Sequence, residues 1–132
     1  MYDFGDGNGP VAAYQHPNGG GWVADTAYVA DSAFVGPAAC VFGYARVSGN
    51  AQVFDSAMVS GNAQVFDSAK VSGNAWVSGN AQVFDSAKVF GNAWVCDNAR
   101  VYDSAKVFGN AYVSDNAKVS GNAQVRGKAC YL

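Results

Sequence analysis

From Val23 to Val125 every sixth residue is valine, eighteen in succession without a miss. From Val29 onward each is preceded two positions earlier by an alanine, Ala27 through Ala123, and Ala129 stands before Tyr131 in the same phase. The unit in most copies is Ala-x-Val-x-(Gly/Asp)-(Asn/Ser). Residues two apart point to the same side of a strand, so Ala and Val share one face. Gly-Asn, Asp-Ser and Asp-Asn are pairs that tolerate the left-handed backbone a sharp corner needs. Each hexapeptide therefore predicts a short strand and a corner.

Such strands are too short to bury an Ala/Val face alone and must stack on copies of themselves. Three of them close a triangular coil of eighteen residues. Six full coils fit between about residues 21 and 128, a stack of about 29 Å at ~4.8 Å between strands. The pattern resembles the hexapeptide-repeat family, over about four-fifths of the chain. The very regular Gly-Asn-Ala-x-Val form also resembles repeat proteins of bacteria, prophages and phages. The family implies an all-β, left-handed parallel β-helix with little or no α-helix. The hand comes from the resemblance alone, since general crossover rules favour the opposite one. Residues 1–20, with Gly5, Gly7, Gly9, Pro10, Pro17, Gly19 and Gly20, break the period. They are expected to form an N-terminal loop or cap, and residues 21–132 the repeat domain.

With the inward positions nearly invariant, function must lie in the outward ones, which the period sorts into columns. The position before valine gives Trp22, Cys40, Met58, Trp76, Trp94, Tyr112 and Cys130 on a first face. A second carries Tyr28, Arg46, Gln64, Gln82, Arg100 and Lys118, and a third Phe34, Gln52, Lys70, Lys88, Lys106 and Gln124. Monomeric soluble proteins avoid a continuous exposed apolar column, so the first face is expected to be covered. The family is typically homotrimeric with parallel axes, which makes Met58, Trp76, Trp94 and Tyr112 the candidate subunit interface. A ligand surface, or coil-on-coil aromatic stacking, would occupy the same column.

A second constellation falls at the corner between the second and third faces. Phe66-Asp67-Ser68-Ala69-Lys70, Phe84-Asp85-Ser86-Ala87-Lys88 and Tyr102-Asp103-Ser104-Ala105-Lys106 repeat coil by coil. Like charges stacked about 5 Å apart repel unless an opposite column or a bound ion relieves them. Asp and Lys columns neutralising each other on a solvated corner is one reading. The other is a groove where Lys70, Lys88 and Lys106 hold an anion while Phe66, Phe84 or Tyr102 stacks on a planar or sugar ring. In a trimer such a corner lines the cleft between subunits, where the family usually binds small molecules.

Composition narrows the classes further. The chain has 132 residues, half of them hydrophobic, yet no Ile, no Glu and a single Leu, the terminal Leu132. Helix-forming residues are too few for a bundle or a helix-rich α/β enzyme. A net charge of −2 without a basic run disfavours duplex nucleic acid as a partner. No stretch approaches the ~20 apolar residues of a membrane span, and the first residues lack the marks of a signal peptide, so a cytoplasmic location is expected. Cys40, Cys96 and Cys130 form no metal-ligand cluster and no even set, and are expected to be free thiols filling small apolar spaces. Cys40 and Cys130 are about 24 Å apart by strand spacing, beyond disulfide reach.

Many hexapeptide-repeat proteins are acyl-coenzyme A dependent acyltransferases with a catalytic His in the subunit cleft and loops that interrupt the coils. This chain departs from that pattern. Residues 22–128 contain no His and no insertion, and the single histidine, His16, lies ahead of the coils. It is expected to be a loop residue, exposed or packed on the cap. Relatives resembling carbonic anhydrase bind zinc with three histidines, a count this chain does not meet. No catalytic set, cofactor or metal is expected. Three functions remain open: a non-catalytic, phage-type trimer that sequesters a small anionic ring-containing ligand such as a nucleotide-type signal or a sugar; a rigid structural or assembly protein; and an acyltransferase using His16.

Overall fold

The computed structural model describes residues 2–126 and the backbone of Cys130 and Tyr131. It is all-β, with no helix among the described residues. Before the repeat come three short strands, β1 (Tyr2–Asp3), β2 (Pro10–Val11) and β3 (Ala13–Gln15). The repeat opens with β4 (Trp22–Ala24) and continues as two-residue strands, each ending on one of the periodic valines as far as Gln124–Val125.

Those strands lie in three parallel sheets, and strands that touch are eighteen residues apart, as in Met58↔Trp76, Gln64↔Gln82 and Lys70↔Lys88. The fold is a parallel β-solenoid of about six eighteen-residue turns. The period predicts it because Ala and Val must face inward three times per turn. From Ala33 to Val107 the repeat alanines and valines are at most 1 % exposed and form one continuous core.

Each corner is a turn closed by a backbone bond from the alanine N–H to the carbonyl three residues earlier, as in Ala63 to Ser60 at 3.2 Å. From Gly43 to Gly121 the residue after that carbonyl takes a positive φ, as Gly61 does at 64° and Asp85 at 60°. Glycine adopts this conformation freely, whereas aspartate incurs strain and needs compensation. The Asp67 carboxylate accepts the Asp85 N–H at 3.4 Å, Asp85 that of Asp103 at 3.2 Å, and Asp103 that of Gly121 at 3.1 Å. The aspartate column is thus held by backbone N–H groups. Asp85→Ala should lose both the bond and the strain relief, costing about 2 kcal/mol, while Asp85→Gly should cost less than ~1 kcal/mol. Thermal unfolding of the pair checks this ordering.

Backbone bonding has a direction. The N–H groups of one coil donate to carbonyls of the next, as in Lys70 to Ala87 at 3.0 Å and Ser72 to Val89 at 2.9 Å. The first coil therefore presents carbonyls at the N-terminal end of the stack, and the leading segment covers most of them. On the first sheet β3 pairs antiparallel with β4. On the third, Ala33 O accepts from His16 Nε2 at 2.8 Å and Asn18 Nδ2 at 3.1 Å, and Val35 O accepts from the Gly21 N–H at 3.0 Å. Gly19 is required here, because its φ is 116° and a Cβ would sit 2.1 Å from Val35 O. The second sheet ends at Tyr28–Val29 with no strand beneath it. Outside this cap, β1 and β2 form a hairpin that lays Tyr2 on Trp22 at 4.5 Å and Phe4 on Phe42 at 4.9 Å between ring centres.

Candidate functional site

The columns sorted by the period are the columns of the sheets. On the first face Trp76 and Trp94 stack at 5.2 Å, and Trp94 and Tyr112 at 5.4 Å. Each indole leans over the corner of the preceding coil, where Trp76 Nε1 donates to Ser60 Oγ at 2.8 Å and Trp94 Nε1 to Ser78 Oγ at 2.9 Å. Small residues at those corners make room for the rings. Met58 and Trp76 are half-buried, while Trp94 at 40 % and Tyr112 at 38 % remain exposed. Part of the apolar column is therefore covered by its own chain, and its upper part offers aromatic surface with the indole N–H groups already bonded.

At the corner between the second and third faces, Phe66, Phe84 and Tyr102 stack face to face at 4.9 and 5.1 Å with planes within 5° of parallel. Both faces of Phe84 are taken by its neighbours. Ring stacking on a ligand, for which the sequence makes any one of the three a candidate, is open only to the outer face of Phe66 and of Tyr102. Lys70, Lys88 and Lys106 sit in register on adjacent strands of the third sheet. Among the described residues no ion pair joins them to the neighbouring carboxylates, which bond to backbone N–H groups instead. The aspartate column is thus held by backbone N–H groups, and among the described residues the lysine column forms no ion pair with it.

His16 is not exposed: it is 2 % accessible, with Nε2 committed as a donor to Ala33 O. That bond fixes the proton on Nε2, and the buried ring acts as an edge cap. Its role escaped the sequence because nothing in a Gly- and Pro-rich segment shows which carbonyl it will meet. Among the described residues no group of three His, Cys or Asp side chains is placed to hold a metal. Among the described residues no helix is long and apolar enough to cross a membrane.

Cys40 and Cys96 form no disulfide, and the second is buried at a corner. The side chain of Cys130 lies outside the described residues. Burial pushes the Cys40 thiol pKa up, partly offset by a hydrogen bond with Tyr2. A raised thiol pKa keeps the neutral form to higher pH, so iodoacetamide should label Cys40 at pH 8 at least about tenfold more slowly than unfolded chain. The difference should shrink as pH rises through the folded value. Stability contributed by this shift is present below the unfolded thiol pKa and declines above it.

Clefts gather on the N-terminal coils. One of about 540 Å³ is lined by Thr26, Tyr28, Tyr44, Arg46 and Ser48, and an adjoining one of about 260 Å³ by Arg46, Ser48, Gln64 and Phe66. A third, about 460 Å³ and apolar, lies between Phe34, Pro37 and Phe54. Lys70, Lys88 and Lys106 line none of these three. Sequence reasoning placed Tyr28, Arg46 and Gln64 in a polar column without giving them a role. The available signal was Ser48, which stands where the ring column of Phe66 and Phe84 would otherwise continue.

Fold and columns define a β-helix repeat protein whose outward side chains, not its core, carry whatever it binds. A family model described as YdcK Beta solenoid repeat matches residues 45–61, about one turn, so that turn is similar to the repeat of that family. Neither a curated protein nor a solved structure matches the chain.

Proposed function

We propose that the chain is a non-catalytic binding module: a left-handed, triangular β-helix of the hexapeptide-repeat type that associates as a trimer and holds a small polyanionic ligand. The observation that carries this reading is the register of Lys70, Lys88 and Lys106 on adjacent strands, without ion pairs to the aspartates beside them. Three lysines on adjacent strands about 4.8 Å apart match a ligand with two or more negative charges along an edge, such as a nucleotide-type signal or a phosphorylated sugar. Its ring packs on the outer face of Tyr102 or Phe66. Self-association through Trp94, Tyr112, Trp76 and Met58 covers the exposed aromatic column.

Calorimetry of the full chain against nucleotides and phosphorylated sugars tests the binding. One of them should bind stoichiometrically, and Lys88→Ala should weaken it at least tenfold. The absence of any binding across the panel overturns the reading. Trp76→Asp combined with Trp94→Asp should convert the trimer to monomer in sedimentation equilibrium, and an unchanged trimer removes the interface assignment. Head-to-tail stacking into a scaffold is less well supported, because the leading segment already covers the lower edge of two of the three sheets.

A further inference from the structure

The second face offers a site of different chemistry from the lysine column. Tyr28, Arg46 and Gln64 follow one another in register on adjacent strands. Tyr28 is 57 % and Tyr44 68 % exposed, the two most exposed large side chains among the described apolar residues. Arg46 lies between them and Phe66, shared with Ser48 by the two adjoining clefts. Among the described residues no carboxylate pairs with its guanidinium. Phe66 stacks on Phe84 on one side only, and the neighbour on its other side is Ser48, so one ring face is turned to the cleft.

We infer that this cleft is a binding site for an acidic saccharide, a short chain of sugars bearing carboxylates. Exposed aromatic rings pack against the C–H face of a pyranose, and Thr26, Ser48 and Gln64 supply neutral donors and acceptors for its hydroxyls. Arg46 gives the planar two-pronged donor that a carboxylate fits. The balance of one cation to several neutral hydroxyl and amide groups argues against a nucleoside polyphosphate, which needs more positive charge. The two clefts run together over the span of Tyr28 to Gln64, three coils or about 10 Å between outer strands, enough for two or three sugar rings.

The test is calorimetric titration of the full chain with trigalacturonate, with maltotriose as the neutral control and adenosine monophosphate as the nucleotide control. Trigalacturonate should bind saturably, at least tenfold more tightly than either control. Arg46→Gln should abolish the preference over maltotriose, and Tyr44→Ala should weaken both sugars. Both positions are exposed, so the variants should unfold at the same temperature as the parent. Lys88→Ala should leave trigalacturonate binding unchanged, which separates this site from the lysine column. The inference is overturned by absence of saturable trigalacturonate binding, by binding that Arg46→Gln leaves intact, or by tighter binding of the mononucleotide.

Discussion

A chain lacking residues 79–96 should fold cooperatively and melt only a few degrees below the parent, whereas one lacking residues 80–96 should not fold. The first deletion removes one coil and joins Ser78 to Asp97, a junction the chain already contains at Ser114–Asp115. Every remaining Ala and Val keeps its inward phase, and in a stack each repeat depends on its neighbours alone. Deleting seventeen residues shifts the following strands by one position, and with a side-chain period of two this turns Val95-type positions outward and polar ones inward. Five buried valines, Val101 to Val125, then lose their site at ~1.5–3 kcal/mol each, a loss as large as the ~5–15 kcal/mol by which a domain of this size is stable. Circular dichroism and thermal melting of the two shortened chains give the answer, and equal behaviour of the two would contradict the periodic core.

The second large effect concerns the leading segment. Removing residues 1–20 should produce concentration-dependent head-to-tail assemblies. The Ala33 carbonyl loses the donors of His16 and Asn18, the Val35 N–H loses the Asn18 carbonyl, and β4 loses its antiparallel partner. Exposed strand edges of this kind are templates for another chain, and the upper coil of a second copy presents N–H groups in matching direction. His16→Ala is the milder form. It should cost about 2–3 kcal/mol, from a lost buried side chain and a lost hydrogen bond, while Asn18 keeps Ala33 O bonded. Light scattering across a dilution series distinguishes assembly from simple unfolding. A truncated chain that stays dispersed at high concentration would show that the cap is not what closes the stack.

The period made the fold readable because one small motif repeats often enough to fix strand length, corner chemistry and coil size together. Val and Ala alternate with outward residues, and the three columns appear as sheets with the same members, Cys40, Met58 and Trp76 on one and Lys70, Lys88 and Lys106 on another. What the period could not show was how outward side chains settle on each other. Phe66, Phe84 and Tyr102 were assigned to one corner, yet whether their faces meet each other or a ligand depends on side-chain torsions that spacing does not encode. Asp67 and Asp85 read as charges awaiting lysine, while the structure gives their oxygens to N–H groups eighteen residues on, because a positive φ at the corner turns that N–H toward the carboxylate below. His16 lies outside the period, so its burial against Ala33 had no sequence signal at all.

The central claim is that this solenoid binds a small anion through its outward lysine column as a trimer. Native mass spectrometry of the protein purified from its natural source tests both parts at once. Three chains with a stoichiometric small-molecule mass, lost in Lys88→Ala while the trimer persists, is the predicted result. A bare monomer, or a bound mass that Lys88→Ala leaves in place, would contradict it.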